Sequence, residues 1–554
     1  MVAIEYDPTG DVFVVKCPRM DKRAAQAPEV NHMNGLWYIT ASPANIRHLT
    51  EQFDRRYFSA PAAARVLQEK AQAKKAEQFP GWFKFKNPPM DKQWDALNKA
   101  WDNPACALFL DMGCGKTFVS INIAAARAQN GDINGLLVIC PTAVMPVWDI
   151  EFEAHCPIDY SLHEVRSGRA KATEAFIGSE ADGLKVMVVG VEALSQGKAA
   201  SLAERFILAH RAMIVVDESS RIKTPSAGRT KKAQLLGTGC KYKLILSGTP
   251  VTQGMQDLYS QFRFLDWSII GQKSYFTFRN RYCIMGGFEA RTIIGYYNQD
   301  ELLDRIAPVT VLIKKEEMMD LPPKVYETLH VEPSPEQKKA LTELGDPFVM
   351  ATVMDDKELI VSTILERMTR YQQIVGGHFP FKEEGEQKII PFTGKNPKMD
   401  ALMDSIDILP DHTKVIIWAR FIPEIEAIQR ALGEKYGYDS VLLYYGATPQ
   451  DDRKQILAEF QGHTGPRFFV SNPAMGGMGI TLTAATYTYY YSNTFSLEDR
   501  LQSEDRNHRK GQNNKVTYLD VTMNHDIDRA MIRALRNKKE IADYVTEELE
   551  ERTK

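Results

Sequence analysis

Apolar residues cluster along this chain in short runs separated by stretches of helical periodicity. Over residues 85–265 the runs at 107–110, 136–140, 186–189, 213–216 and 244–246 predict strands, and the segments between them, such as 118–128, predict helices. That alternation implies a parallel sheet with helices on both faces, an α/β fold. A second alternation covers residues 396–525, with strands expected at 415–418, 440–444, 468–470, 488–491 and 516–521. Residues 266–395 lack the rhythm. They are aromatic and basic at first, then helical and charged, and predict a helical region between the two sheets. Residues 1–60 carry two apolar runs, 12–15 and 36–39, and a helical pattern at 43–53, which predicts a small ββα module. Residues 61–84 are rich in Ala, Gln, Lys and Glu and read as a polar helix or linker. The tail, 526–554, reads as one charged amphipathic helix.

Composition adds little to this picture but removes several alternatives. At 554 residues, 44% hydrophobic and 25% charged, the chain can bury large cores. A net charge of −3 provides no global basic field, so any nucleic-acid partner must be held by a local patch or cleft. The seven cysteines are scattered without a C-x-x-C pair, which argues against a zinc site or a disulfide framework and suits a reducing cytosol. No apolar run approaches the length of a membrane span, and the N-terminus lacks a signal pattern. A soluble, cytoplasmic protein is expected, with no membrane partner.

The candidate chemistry begins at the end of the first predicted strand. Asp111-Met112-Gly113-Cys114-Gly115-Lys116-Thr117 joins that strand to a helix. Such a turn cradles phosphate: backbone N–H groups and the helix dipole face the anion, Lys116 reaches the β/γ-phosphates, and Thr117 ligates Mg²⁺. The first glycine of the full G-x-x-x-x-G-K-T pattern is missing, because Leu110 stands there. Cys114 lies in the loop, where an anion-facing helix start could lower its pKa; otherwise it is a small loop residue. A hundred residues later a second strand ends in Asp217-Glu218. Asp217 can hold the Mg²⁺ shell, and Glu218 can orient or deprotonate an attacking water. Together the two strings imply hydrolysis of a nucleoside triphosphate.

Further strings follow in a set order. They are Pro89-Met90-Asp91-Lys92-Gln93, Cys140-Pro141-Thr142 followed by Val147-Trp148, Ser219-Ser220-Arg221-Ile222-Lys223 and Leu246-Ser247-Gly248-Thr249-Pro250. In the second half come Gly476-Gly477-Met478-Gly479-Ile480-Thr481-Leu482 and Gln502-Ser503-Glu504-Asp505-Arg506-Asn507-His508-Arg509-Lys510-Gly511-Gln512. This set resembles the superfamily-two helicases, and within them the Swi/Snf-like DNA translocases, over about residues 85–525. The resemblance implies two RecA-like lobes facing across a cleft, the first at 85–265 and the second at 396–525, with helical protrusions and a lobe linker at 266–395, where Lys314-Lys315 and Leu321-Pro322-Pro323-Lys324 match the family's transition between lobes. It implies ATP and Mg²⁺ on the first lobe, completed by Arg506 and Arg509 from the second. Their three-residue spacing would put both on one helix face. It further implies that Gln93 reads the adenine edge, that Gly113 and Gly115 line the phosphate loop, and that Gln502 lies near the nucleotide. Ser247 and Thr249 would couple nucleotide state to lobe position. DNA phosphates would be met by Pro141, Thr142, Arg221, Lys223, Gly476, Gly477, Gly479 and Thr481. One departure stands out: Ser220 replaces a histidine of the family pattern, which bears on the coupling of hydrolysis to movement.

The N-terminal module, through Gly35-Leu36-Trp37-Tyr38-Ile39, Pro43 and the helix to Phe53, resembles the HARP-like module of annealing helicases. The expectation is an ATP-dependent translocase on duplex or branched DNA, working as a monomer. The alternatives are a strand-separating DNA or RNA helicase and a non-catalytic nucleic-acid clamp. Nucleosome remodelling is not expected, because histone-reading or long basic regions are absent from the sequence.

Overall fold

The apolar runs become the centres of two parallel sheets because strands covered on both faces must be apolar throughout. A computed structural model gives the fold. It describes all residues except 1, 10–11, 18–22, 28–29, 34–35, 42, 54–56, 64–77, 181–182, 196–197, 288–291, 345–356, 384–385, 450–451, 463, 479 and 554. Residues 1–78 and 79–554 form two compact units.

In the first unit four antiparallel strands lie in the order Ala3–Asp7, Val12–Lys16, Leu36–Thr40, Val30–Met33, with the helix Pro43–Gln52. Ile4, Phe13, Val15, Ile39, Leu49 and Phe53 make its core. The expected ββα module therefore gains two strands. Both are edge strands whose side chains are only partly covered, so they lack an apolar run. Most of the expected linker, residues 64–77, lies outside the described residues, as does Gly35.

In the second unit the first sheet has seven parallel strands. Their order is Thr310–Ile313, Ala105–Leu110, Lys243–Leu246, Ala212–Val216, Gly135–Cys140, Leu184–Gly190, Tyr160–Glu164. The second has six, again parallel, in the order Lys324–Val331, Val516–Met523, Tyr487–Tyr490, Val415–Trp418, Phe468–Ser471, Val441–Tyr444. All ten strands expected inside the sheets form. The three additional ones, Tyr160–Glu164, Thr310–Ile313 and Lys324–Val331, are sheet edges.

The region 266–395 is not purely helical, which corrects the expectation. Besides the helices Tyr275–Tyr282, Gln299–Ile306, Pro335–Leu344 and Lys357–Val375, it donates one edge strand to each sheet. It also forms two hairpins, Cys283–Gly286 with Thr292–Tyr296 and His378–Glu383 with Glu386–Pro391. The tail forms the helix Asp526–Thr553, as its pattern predicts. Its start packs Ile527 and Met531 near the second sheet, and its end buries Val545 and Leu549 in the core of the first lobe. No helix among the described residues is long and apolar enough to cross a membrane.

A buried charge network fixes the edge strand Lys324–Val331 to the helix Leu497–Glu504. Glu504 accepts from Arg500 Nε at 2.8 Å, from Lys324 Nζ at 3.1 Å and from Tyr326 Oη at 2.7 Å. Arg500 also pairs with Asp520 at 2.5 Å and lies 3.5 Å over the Tyr490 ring. Burial alone would raise the Glu504 pKa; Lys324 and Arg500 overcome it and hold the carboxyl at about 2. Its stabilisation is therefore complete above the usual carboxylate range and is lost as pH falls toward 2. A shift of this size is worth about 3 kcal/mol at most. Glu504→Gln should lower the melting temperature of the second lobe by roughly 5–10 °C at neutral pH. The difference from the native chain should shrink below about pH 4, as read by calorimetry across pH.

Candidate active site

Three adjacent strands of the first sheet bring their carboxyl ends together, where open α/β sheets bind ligands. Ala105–Leu110 leads into the phosphate loop, Lys243–Leu246 into Ser247-Gly248-Thr249-Pro250, and Ala212–Val216 into Asp217-Glu218. The loop turns through Gly113 and Gly115, both with positive φ (87° and 86°), before the helix Lys116–Gln129 begins. Side chains rarely adopt that conformation. A Cβ at Gly115 would also collide with the Gln93 amide. Gly248 brings the second strand end against the loop: a Cβ there would lie 3.4 Å from both Lys116 Nζ and the Leu110 carbonyl oxygen.

Lys116 Nζ donates to the Leu110 carbonyl at 2.9 Å, so its charge is held at the mouth of the loop. Asp217 is buried, accepts from Trp148 Nε1 at 3.2 Å and accepts from the Glu218 backbone N–H at 3.0 Å. Glu218 has φ +48°, an uncommon left-handed conformation for a side-chain-bearing residue and one that concentrates at functional turns. Its Oε2 is buried without a hydrogen-bond partner. Burial pushes the pKa of both carboxyls up, and Lys116 opposes the shift in each. Thr117 opens the helix beside Lys116. Trp148 belongs to the string Val147-Trp148, which the sequence reading noted without a role; the structure sets it against Asp217.

Arg506 arrives from the second lobe. Its guanidinium is buried, with Nη2 3.6 Å from Met112 Sδ in the phosphate loop, and the Glu218 charge acts on it. Burial lowers its pKa to about 10. Its Nε has no hydrogen-bond partner. Arg509 does not join it. Arg509 Nη1 donates to the Ile480 carbonyl of its own lobe at 3.3 Å. The expected shared helix face is also corrected: the helix Leu497–Glu504 ends before both arginines, which lie on turns. A turn lets Arg506 leave the helix direction and enter the cleft. Gln502 is buried on that helix.

Gln93 spans helix start and phosphate loop. Its Oε1 accepts from the Met90 N–H at 3.0 Å and its Nε2 donates to the Cys114 carbonyl at 3.2 Å. Ser247 Oγ accepts from the Thr249 N–H at 3.0 Å, and Thr249 Oγ1 is buried without a partner. Ser219 Oγ donates to Gln261 Oε1 at 2.7 Å, while Ser220 is buried with its hydroxyl unpartnered.

Three of the expected phosphate contacts face carboxylates. Thr142 donates through N–H and Oγ1 to Glu192 at 3.1 and 2.8 Å. Arg221 and Lys223 face Glu498 of the second lobe at 3.3 and 3.7 Å, and Lys223 also donates to Thr252. Pro141 and Thr481 are half-buried. Gly476 and Gly477 lie in the helical turn Pro473–Met478, and Gly479 lies outside the described residues.

Residues 28–377 match the SNF2-related domain, and residues 397–511 match the helicase conserved C-terminal domain. The chain belongs to the SNF2-related family. The two matched domains are those of superfamily-two ATPases. Relatives include a probable ATP-dependent DNA helicase CHR12 of Arabidopsis thaliana, 25% identical over 77% of this chain and 39% of its own length. The DNA annealing helicase and endonuclease ZRANB3 of Bos taurus is 24% identical over 79% of this chain and 38% of its length. Among solved structures, the Sulfolobus solfataricus SWI2/SNF2 ATPase core in complex with dsDNA is 21% identical, with TM-score 0.38, covering 85% of this chain and 96% of that one. The SNF2-related chain spans about two-fifths of the length of the first of these relatives.

Cys114 gives a direct check on the packing of the loop. Burial, not the helix dipole, dominates, and it pushes the thiol up to about 12. Of the two readings of Cys114, the small loop residue is the one the packing fits, and the lowered pKa is not found. About a thousandfold less thiolate than for an ordinary cysteine is present near neutral pH. Under native conditions a thiol reagent should leave Cys114 unmodified while denaturation exposes it, as read by peptide mass spectrometry.

Proposed function

We propose that this SNF2-related chain is an ATP-dependent DNA translocase that moves along duplex DNA and remodels or reanneals branched DNA. The observation that carries the reading is the guanidinium of Arg506, buried against the phosphate loop beside the field of Glu218. A cation in that position waits for an anion, and a γ-phosphate on Lys116 would supply it.

On this reading Lys116, Gly113 and Gly115 cradle the phosphates and Gln93 faces the adenine. Thr117 and Asp217 would hold Mg²⁺, and bound Mg²⁺ would neutralise charge on the β/γ-phosphates. The donors fit: hydroxyl and carboxylate oxygens are hard ligands, and Mg²⁺ commonly takes only one or two carboxylates beside substrate phosphates. Trp148 orients Asp217 from behind. Glu218 accepts the proton of the attacking water, and its raised pKa brings it closer to working pH. Arg506 stabilises the charge that develops in transfer, with Arg509 in reserve should the lobes close further.

DNA is the proposed track because relatives of this chain include a probable DNA helicase and a DNA annealing helicase. The groups proposed for DNA phosphates are Pro141, Thr142, Arg221, Lys223, Gly476, Gly477, Gly479 and Thr481. Thr142, Arg221 and Lys223 face glutamates, and a group that pairs with a carboxylate has the chemistry to meet a phosphate oxygen, which supports the reading. The proposed protein works as a cytoplasmic monomer.

Steady-state ATPase with duplex, single-stranded, forked and RNA ligands tests the proposal. Duplex and forked DNA should stimulate hydrolysis, and the DNA affinity should fall with salt at about 0.9 logarithmic units per phosphate contact. Stimulation by single strands or RNA alone would favour a strand-separating or RNA-directed motor. Glu218→Gln should abolish turnover and keep ATP binding. Turnover that survives this change would remove the base assignment, and a native chain without turnover would point to a clamp.

A further inference from the structure

The segment that joins the two lobes does more than connect them. The edge strand Thr310–Ile313 pairs with Ala105–Leu110, and the Asp111 N–H donates to the Ile313 carbonyl at 3.0 Å. One step on, the backbone N–H of Lys315 donates to Asp111 Oδ2 at 3.0 Å. The side chain of Lys315 turns the other way. Its Nζ forms an ion pair with Asp505 and donates to the His508 carbonyl at 3.3 Å. Lys315 is buried, with only 6% of its side chain exposed.

The neighbours of these partners are what matter. Asp111 precedes Met112, and Asp505 precedes Arg506; Met112 Sδ and Arg506 Nη2 are the atoms that meet across the cleft. Lys315 therefore joins, through one residue, the two chain positions that carry the contact. The rest of the linker holds the same turn. His508 Nε2 pairs with the Pro322 carbonyl at 2.8 Å, Lys324 pairs with Glu504 at 3.1 Å, and the Met319 methyl lies over Gly113.

We infer that Lys315 is a positioning residue for hydrolysis: its backbone is fixed to the phosphate loop and its ammonium to the turn bearing Arg506, so it sets how far that guanidinium enters the nucleotide site. The inference rests on the reading of Arg506 given above. Lys315 touches no substrate. An ion pair this enclosed holds its geometry because either partner alone would leave a buried charge. Small displacements of a positioned group cost rate steeply.

The test measures ATP hydrolysis at saturating duplex DNA. Lys315→Met should lower kcat by roughly 10–100-fold while KM for ATP changes by less than about threefold, because ground-state phosphate contacts stay on Lys116. Asp505→Asn should do the same. In an Arg506→Ala background, Lys315→Met should produce no further loss, since the group it positions is gone. Lys315→Arg, which keeps the charge, should recover most of the rate. If Lys315→Met fails to fold, Asp505→Asn removes the same ion pair and is read in its place. Native kcat in these variants, or equal losses with and without Arg506, would overturn the inference. Glu218→Gln separates the two levels. If it abolishes turnover while Lys315→Met and Asp505→Asn keep native rates, only the positioning role falls. If turnover survives Glu218→Gln, the active-site reading falls first.

Discussion

The guanidinium of Arg506 lies in the cleft between two parallel-sheet lobes, with no carboxylate hydrogen-bonded to it among the described residues. Moving a charge out of water costs several kcal/mol unless something nearby compensates. Here the compensation is incomplete: a methionine sulfur, and the fields of Asp505 and Glu218. The site is thus electrostatically unfinished. On the opposite wall Asp217 is buried and Lys116 and Glu218 are half-buried, and desolvation pushes both carboxyls toward their neutral forms. A triphosphate with its cation would satisfy both walls at once, which is why the lobes, and not either alone, make the site.

The fold keeps those walls in register by several independent ties. The strand ends of the first sheet set the phosphate loop, Gly248 and the acidic pair side by side. The Glu504 network fixes the helix before Arg506 to the edge of the second sheet. The linker reaches both lobes within a few residues, from Asp111 to His508. The terminal helix starts on one lobe and ends in the core of the other, with Arg552 paired to Asp300 and Asp304. Across the groove, Glu498 faces Arg221 and Lys223, the groups proposed to meet DNA. That carboxylate sits on the same helix that leads to Arg506, so one helix links the two groups of residues.

Strands covered on both faces were legible because they must be apolar from end to end, as 136–140 and 186–189 are. Edge strands such as Lys324–Val331 and Tyr160–Glu164 mix polar and apolar side chains and leave no such run. The phosphate loop and Asp217-Glu218 could be read from local strings, since backbone geometry there demands glycine and the chemistry demands carboxylates. Arg506 was legible only through resemblance. That it sits on a turn and separates from Arg509 depends on where one helix stops, which tertiary packing decides. Trp148 and Lys315 stood out only as parts of strings that match the family; their partners, Asp217, Asp111 and Asp505, lie far away in sequence, and no local pattern signals such pairs. The string around Cys114 left two readings open, and its burial, which favours the inert one, depends on packing that a local string does not carry.

The most direct test is the single-turnover rate of ATP hydrolysis by Arg506→Ala beside the native chain, with ATP affinity measured on both. If the two lobes share one nucleotide, the rate should fall by about 10³-fold or more with affinity nearly unchanged. Hydrolysis at the native rate without that guanidinium would contradict the account.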